Sequence, residues 1–172
     1  MSLPTYKLYI LVEHDSELKK LYEDQISYRQ ENKVTDSGFD LFLPENNSYT
    51  YGRHTLLDHN IRCKMVIIDG GREIPTGYTL HPRSSTFKKY NLLLANSTGI
   101  IDQDYRGPIK ASFFSPLRSL INMPEIHIDR GTRLVQLCSP SYRYFEVELV
   151  DSLDETGRGE GGFGSTGINS FI

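Results

Sequence analysis

The stretch NLLLANSTGIIDQDYRGPIKASFF, residues 91–114, decides how this chain is read. Two short apolar runs, 91–95 and 109–114, flank a polar segment bracketed by Gly99 and Gly107. Runs of this length bounded by glycine and aspartate are strand signals, so the segment between them reads as a hairpin. It carries Asp102, Asp104, Tyr105 and Arg106. A carboxylate beside a tight turn can orient water or a sugar hydroxyl, and a neighbouring tyrosine can stack on a pentose. The same residues also suit an ordinary polar turn, where Asp and Gly are common.

The strand pattern repeats in both directions, over residues 6–12, 39–43, 61–68, 78–80, 126–128, 134–138 and 142–150. The run at 61–68 ends at the turn Asp69-Gly70-Gly71. Tyr, Phe, Val and Ile are plentiful, as half-buried pleated surfaces favour. Residues 17–30 depart from this pattern: Leu18, Leu21, Tyr22 and Ile26 stand at helical spacing, with Asp15 or Ser16 placed to cap the first turn. The expectation is an all-β sandwich or barrel with one N-terminal amphipathic helix packed on the sheet.

At 172 residues the chain suits one domain with a full core. Its 19 basic and 22 acidic residues give no basic excess for a nucleic-acid or anionic-membrane surface, so any phosphate recognition must be local. Cys63 and Cys138 lie in apolar strand-like runs without metal-ligand spacing and read as buried free thiols. With no signal peptide or spanning run, a soluble cytoplasmic protein is expected.

Four further clusters carry chemistry. HPRSST (81–86) offers a guanidinium and two hydroxyls in succession, a suitable phosphate pocket. DSGFDL (36–41) starts a strand with Gly38 and Asp40, and GTRLVQL (131–137) turns into one with Arg133 and Gln136 as polar members. Each of these three also fits plain β-protein punctuation. The tail GRGEGGFGSTG (157–167) holds six of the chain's 14 glycines around Arg158, Phe163, Ser165 and Thr166. No core forms from that composition. It suits a clamp on a nucleotide, and it also fits a frayed terminus.

In order, DSGFDL, HPRSS, NSTGIIDQDYRG, GTRLVQL and RGEGGFGSTG resemble the five motifs of the trimeric dUTP nucleotidohydrolases, or dUTPases, from about Asp36 to Gly167. The resemblance implies a jelly-roll-like β domain over 1–152, including the helix near 17–30, and a mobile glycine-rich arm over 153–172. It implies Mg²⁺-dependent hydrolysis of dUTP to dUMP and pyrophosphate, which limits uracil incorporation into DNA, by a homotrimer with shared active sites and without nucleic-acid or membrane partners.

By the same resemblance, Asp102 orients the attacking water and contacts the sugar 3′-hydroxyl, and Arg158 acts with it in catalysis. Arg83, Ser84, Ser85 and Gln136 hold phosphates. Asn96 and the main chain of Gly99, Ile100 and Ile101 read the uracil edge, and Lys110 joins the substrate-binding set. Tyr105 stacks on deoxyribose and excludes a 2′-hydroxyl. Phe163, Gly164, Ser165 and Thr166 close over the ligand, and Asp40 acts on the metal through water.

Ser85 departs from a usual glycine, Thr132 from a common acid, and Glu160 from a small hydroxyl residue or lysine. Glu160 is expected to point outward or to loosen the arm. The arm itself is expected to serve a neighbouring subunit. The related dCTP deaminases place a catalytic glutamate where this chain has Ser112, which disfavours deamination.

Overall fold

The computed structural model of the chain describes residues 4–116 and 125–161. In chain order the elements are β1 (Thr5–Val12), α1 (Ser16–Glu31), β2 (Gly38–Phe42), β3 (Asn47–Tyr49), β4 (His54–Asp69), β5 (Arg72–Thr76) and β6 (Tyr78–Pro82). Then follow α2 (Ser84–Tyr90), β7 (Leu93–Leu94), β8 (Gly99–Ile101), β9 (Pro108–Phe114), β10 (Ile126–Ile128), β11 (Arg133–Cys138) and β12 (Phe145–Leu149).

Period-two alternation builds two facing sheets. β9 buries Ile109, Ala111 and Phe113 while Lys110 and Ser112 face outward. β4 buries Leu57, His59, Ile61, Cys63 and Met65 in the same way. One sheet runs β12-β1-β4-β9-β7 with β5 beside β4, the other β2-β11-β6-β8, and β3 pairs with β10. Their buried faces merge in one hydrophobic cluster, the sandwich that the alternation predicts. β4 and β5 join through Gly70 and Gly71 at φ 57° and 79°, the positive angles that a two-residue hairpin with this twist requires.

Asp15 caps α1 by accepting from the Leu18 amide at 2.9 Å. The helix covers β2. Tyr22 stacks on Phe39 and meets Phe42 edge-on. The Tyr22 hydroxyl accepts from the Phe42 amide at 3.2 Å, and buried His59 holds the Phe42 carbonyl oxygen through Nδ1 at 3.0 Å. Cys63 and Cys138 are buried and free. Among the described residues no helix is long and apolar enough to cross a membrane.

Two expectations need correction. The chain has a second helix, α2, where one was expected. Seven residues are too few to display a helical period, and α2 is held by tertiary contact: the Thr86 hydroxyl donates to the Leu134 carbonyl oxygen at 2.6 Å. The segment between Gly99 and Gly107 is also not a hairpin. β8 pairs with β6 in one sheet, whereas β9 pairs with β4 and β7 in the other. Residues 102–107 therefore form a corner between sheets.

Candidate active site

That corner creates the cavity. Because β8 and β9 diverge into different sheets, a space of about 180 Å³ opens between them. Asn96, Gly99, Ile100, Ile101, Asp102, Tyr105, Lys110 and Arg158 all line it, together with Leu80 and Pro108. Among the described residues β8 has strand pairing on its β6 side alone. Its other edge leaves main-chain donors and acceptors for a flat heterocycle to meet.

Tyr105 is fixed from two directions. Its hydroxyl donates to the Pro108 carbonyl oxygen at 2.9 Å, and its ring lies over Gly107. A Cβ on Gly107 would stand 2.6 Å from Tyr105 Cζ, so glycine is required there. Burial pushes the Tyr105 phenol above its ordinary value and keeps it neutral. Asp102 keeps a half-exposed carboxylate, ion-paired with Arg158. Lys110 faces Asp58 across β9 and β4 at 3.5 Å.

Residues 153–161, the described part of the arm, lie against their own chain. Gly159 bridges Tyr105, and the Arg106 amide donates to the Gly159 carbonyl oxygen at 2.9 Å. Asp154 accepts from Arg106 at 3.1 Å and pairs with Lys64 at 3.2 Å. The hydrogen bond from Arg106 holds the Asp154 carboxyl below its ordinary value. Glu160 stays 66% exposed, as expected of an outward-pointing side chain, while pairing with Arg62, which also binds Glu13. Arg62 thus offsets part of the charge of both carboxylates. Phe163, Gly164, Ser165 and Thr166 lie outside the described residues.

The remaining expected residues gather elsewhere. Asp40, Arg83, Ser84 and Gln136 line a second cavity of about 620 Å³, with Arg133 and the end of α1. Ser85 sits one position further along α2 and is half-buried. Asp40 receives Arg83 at 2.8 Å and Arg133 at 3.2 Å. Burial pushes the Asp40 carboxyl up, and the two guanidiniums oppose that shift. Gln136 donates to the Pro82 carbonyl oxygen at 3.3 Å and lies directly over Gly38. Arg133 enters this cluster although its sequence context, a turn into a strand, gave it no role. Arg29, on α1, was not singled out by the sequence because it sits on a helix outside every motif.

Register separates the two cavities. Ile101 pairs with Tyr78, so Asp102 stands level with Gly77. Arg83 lies six residues further along extended chain, about 20 Å at strand rise. Asp102 and Arg83 thus line different cavities within one chain. Among the described residues no group of three or more His, Cys, Asp or Glu side chains is placed to hold a metal ion. Asp40 in the second cavity is an oxygen donor of the kind that Mg²⁺ takes.

Known proteins resemble this chain over most of its length. A family model described as dUTPase matches residues 24–167. The deoxyuridine 5′-triphosphate nucleotidohydrolase of Heliobacterium modesticaldum is 32% identical over 166 residues, covering 90% of this chain and 97% of the relative. The enzyme of the same name from Escherichia phage T5 is 43% identical over 111 residues, covering 60% of this chain and 70% of its own. Among solved structures, a dUTPase from Streptococcus mutans aligns with a TM-score of 0.47 at 24% identity, over 67% of this chain and 82% of that one.

Proposed function

The chain belongs to the dUTPase family, and on that premise we propose that it hydrolyses dUTP to dUMP and pyrophosphate, with the base and sugar seated between β8 and β9. The observation that carries this reading is the single cavity holding Asn96, Asp102, Tyr105 and Arg158. The unpaired edge of β8, with Asn96, meets the uracil edge. A site built to pair that edge rejects cytosine, whose exchanged donor and acceptor leave polar groups unsatisfied. Tyr105 packs on the deoxyribose and fills the space that a 2′-hydroxyl needs.

Asp102 holds a water in line with the α-phosphorus and accepts its proton as the new bond forms. Arg158, which rests on Asp102 in the free chain, is drawn to the phosphates and offsets the charge that develops on their oxygens. Arg83, Ser84, Ser85 and Gln136 hold the phosphate chain. Because they stand far from Asp102 within one chain, the reading draws them from different copies, in the homotrimer that the family resemblance implies, with one subunit supplying the cavity and another the phosphate residues. Residues 153–172 act as the arm that completes the site, through Arg158, Phe163, Gly164, Ser165 and Thr166. Asp40 would contact a magnesium ion through water, and the ion would offset charge on the phosphates. Residues 1–152 form the β domain, and the cytoplasm suits a protein with two free buried thiols.

Asp102→Asn keeps the shape of the residue while weakening its grip on the water proton. Turnover of dUTP is expected to fall by about a hundredfold or more, with nucleotide affinity kept. Stopped-flow pyrophosphate release beside equilibrium binding checks both halves. Near-parental turnover would remove Asp102 from its role.

A further inference from the structure

Helix α1 is the element to which the family resemblance gives no role, yet its last turn walls the 620 Å³ cavity. Arg29 in that turn is only 6% exposed. Its Nη1 donates to the Gly38 carbonyl oxygen at 3.1 Å. The guanidinium carbon lies 5.4 to 5.9 Å from the ring centres of Phe39, Tyr144 and Phe145. Its Nη2 is buried, with no hydrogen-bond partner among the described residues. Burial lowers the affinity of this guanidinium for its proton, but arginine keeps its charge at any working pH. A buried cation with an unpartnered nitrogen is costly, and an apolar side chain would fill the space more cheaply. Packing alone does not account for Arg29.

What Arg29 holds is informative. Gly38 begins β2 directly beneath Gln136, so closely that a Cβ there would stand 1.9 Å from Gln136 Oε1. Two residues on, Asp40 gathers Arg83 and Arg133. The Gly38 carbonyl is therefore the point from which the height of β2 under Gln136 is set. A guanidinium fixed there also adds positive charge to a partly desolvated wall, where charge acts more strongly than in water.

We propose that Arg29 is a positioning residue for the phosphate chain: through Gly38 it sets Gln136 and the Asp40–Arg83–Arg133 cluster, and its buried charge strengthens the hold on a polyphosphate. The inference rests on the reading that this cavity takes the phosphates. α1 thereby becomes part of the binding machinery.

The full chain is titrated calorimetrically with pyrophosphate, which reports the phosphate side, and with deoxyuridine, which reports the base side. Arg29→Met keeps an unbranched stem among the rings and is expected to bind pyrophosphate about tenfold more weakly, with deoxyuridine affinity unchanged. Arg29→Lys restores the charge without the planar fork and is expected to recover part of that loss. Parental pyrophosphate affinity in Arg29→Met overturns the inference. Should that variant not fold, Gly38→Ala applies the same test with Arg29 intact. Its added methyl displaces Gln136, and unchanged pyrophosphate affinity there overturns the inference equally. Arg83→Met separates the inference from the reading beneath it. If Arg83→Met also binds pyrophosphate as the parent does, the cavity is not the phosphate site and both fall. If Arg83→Met loses affinity while Arg29→Met keeps it, only the role of Arg29 falls.

Discussion

Tyr105 shows what a residue's chemistry announces in sequence and what it conceals. A tyrosine immediately after an Asp-Gln-Asp run, between two glycines, marks a ring that can meet a sugar, and the ring does line the cavity. Its immobilisation was not legible, because the Pro108 carbonyl and Gly107 act on it only once the corner has formed. A ring held this way resists moving aside for a bulkier sugar. Tyr105→Ala is therefore expected to raise UTP hydrolysis relative to dUTP by about tenfold or more. Comparing kcat/KM for the two nucleotides checks this; an unchanged ratio contradicts the steric account. Glu160 teaches the opposite lesson. In sequence it is an acid beside a polyanion site, and only the fold shows that it pairs with Arg62, about a hundred residues away, which it shares with Glu13.

At the scale of elements, the strands were legible wherever side chains alternate, as in β1, β4 and β9. What periodicity cannot state is which strand pairs with which. The residues around Gly99 and Gly107 fit a hairpin equally well, and the choice between hairpin and sheet-crossing corner is made by β6 and β4, which recruit β8 and β9 separately. The cavity exists because of that choice. Gly107→Ala tests the corner as a unit: the new methyl displaces the Tyr105 ring and breaks its bond to Pro108. Activity toward dUTP is expected to fall by about tenfold or more, with selectivity against UTP weakened in parallel. A fall in activity with selectivity intact would show that the corner does not act through Tyr105.

For the whole molecule, the core carries a pH dependence. His59 is fully buried, and burial lowers its pKa below the ordinary 6.5. The unfolded chain then takes up a proton near pH 6.5 that the folded chain refuses. Stability is full above that pH and is lost as pH falls below it, by up to about 1.4 kcal/mol per pH unit. Urea melts at fixed protein concentration from pH 7.5 to 5 are expected to show this slope, and His59→Gln to flatten it; identical slopes would exonerate His59. The larger consequence of the architecture is that Asp102 and Arg83 stand about 20 Å apart along one chain, so the proposed function draws them from different copies. Complementation tests this most directly. Asp102→Asn and Arg83→Met chains, each nearly inactive alone, are co-refolded in equal amounts and assayed for pyrophosphate release from dUTP. If the two residues come from different subunits, half of the sites receive an intact Asp102 and half of those an intact Arg83, so about one quarter of parental activity is expected. Mixtures shown to contain heterotrimers that recover no activity would place both residues in one chain's site and contradict the account.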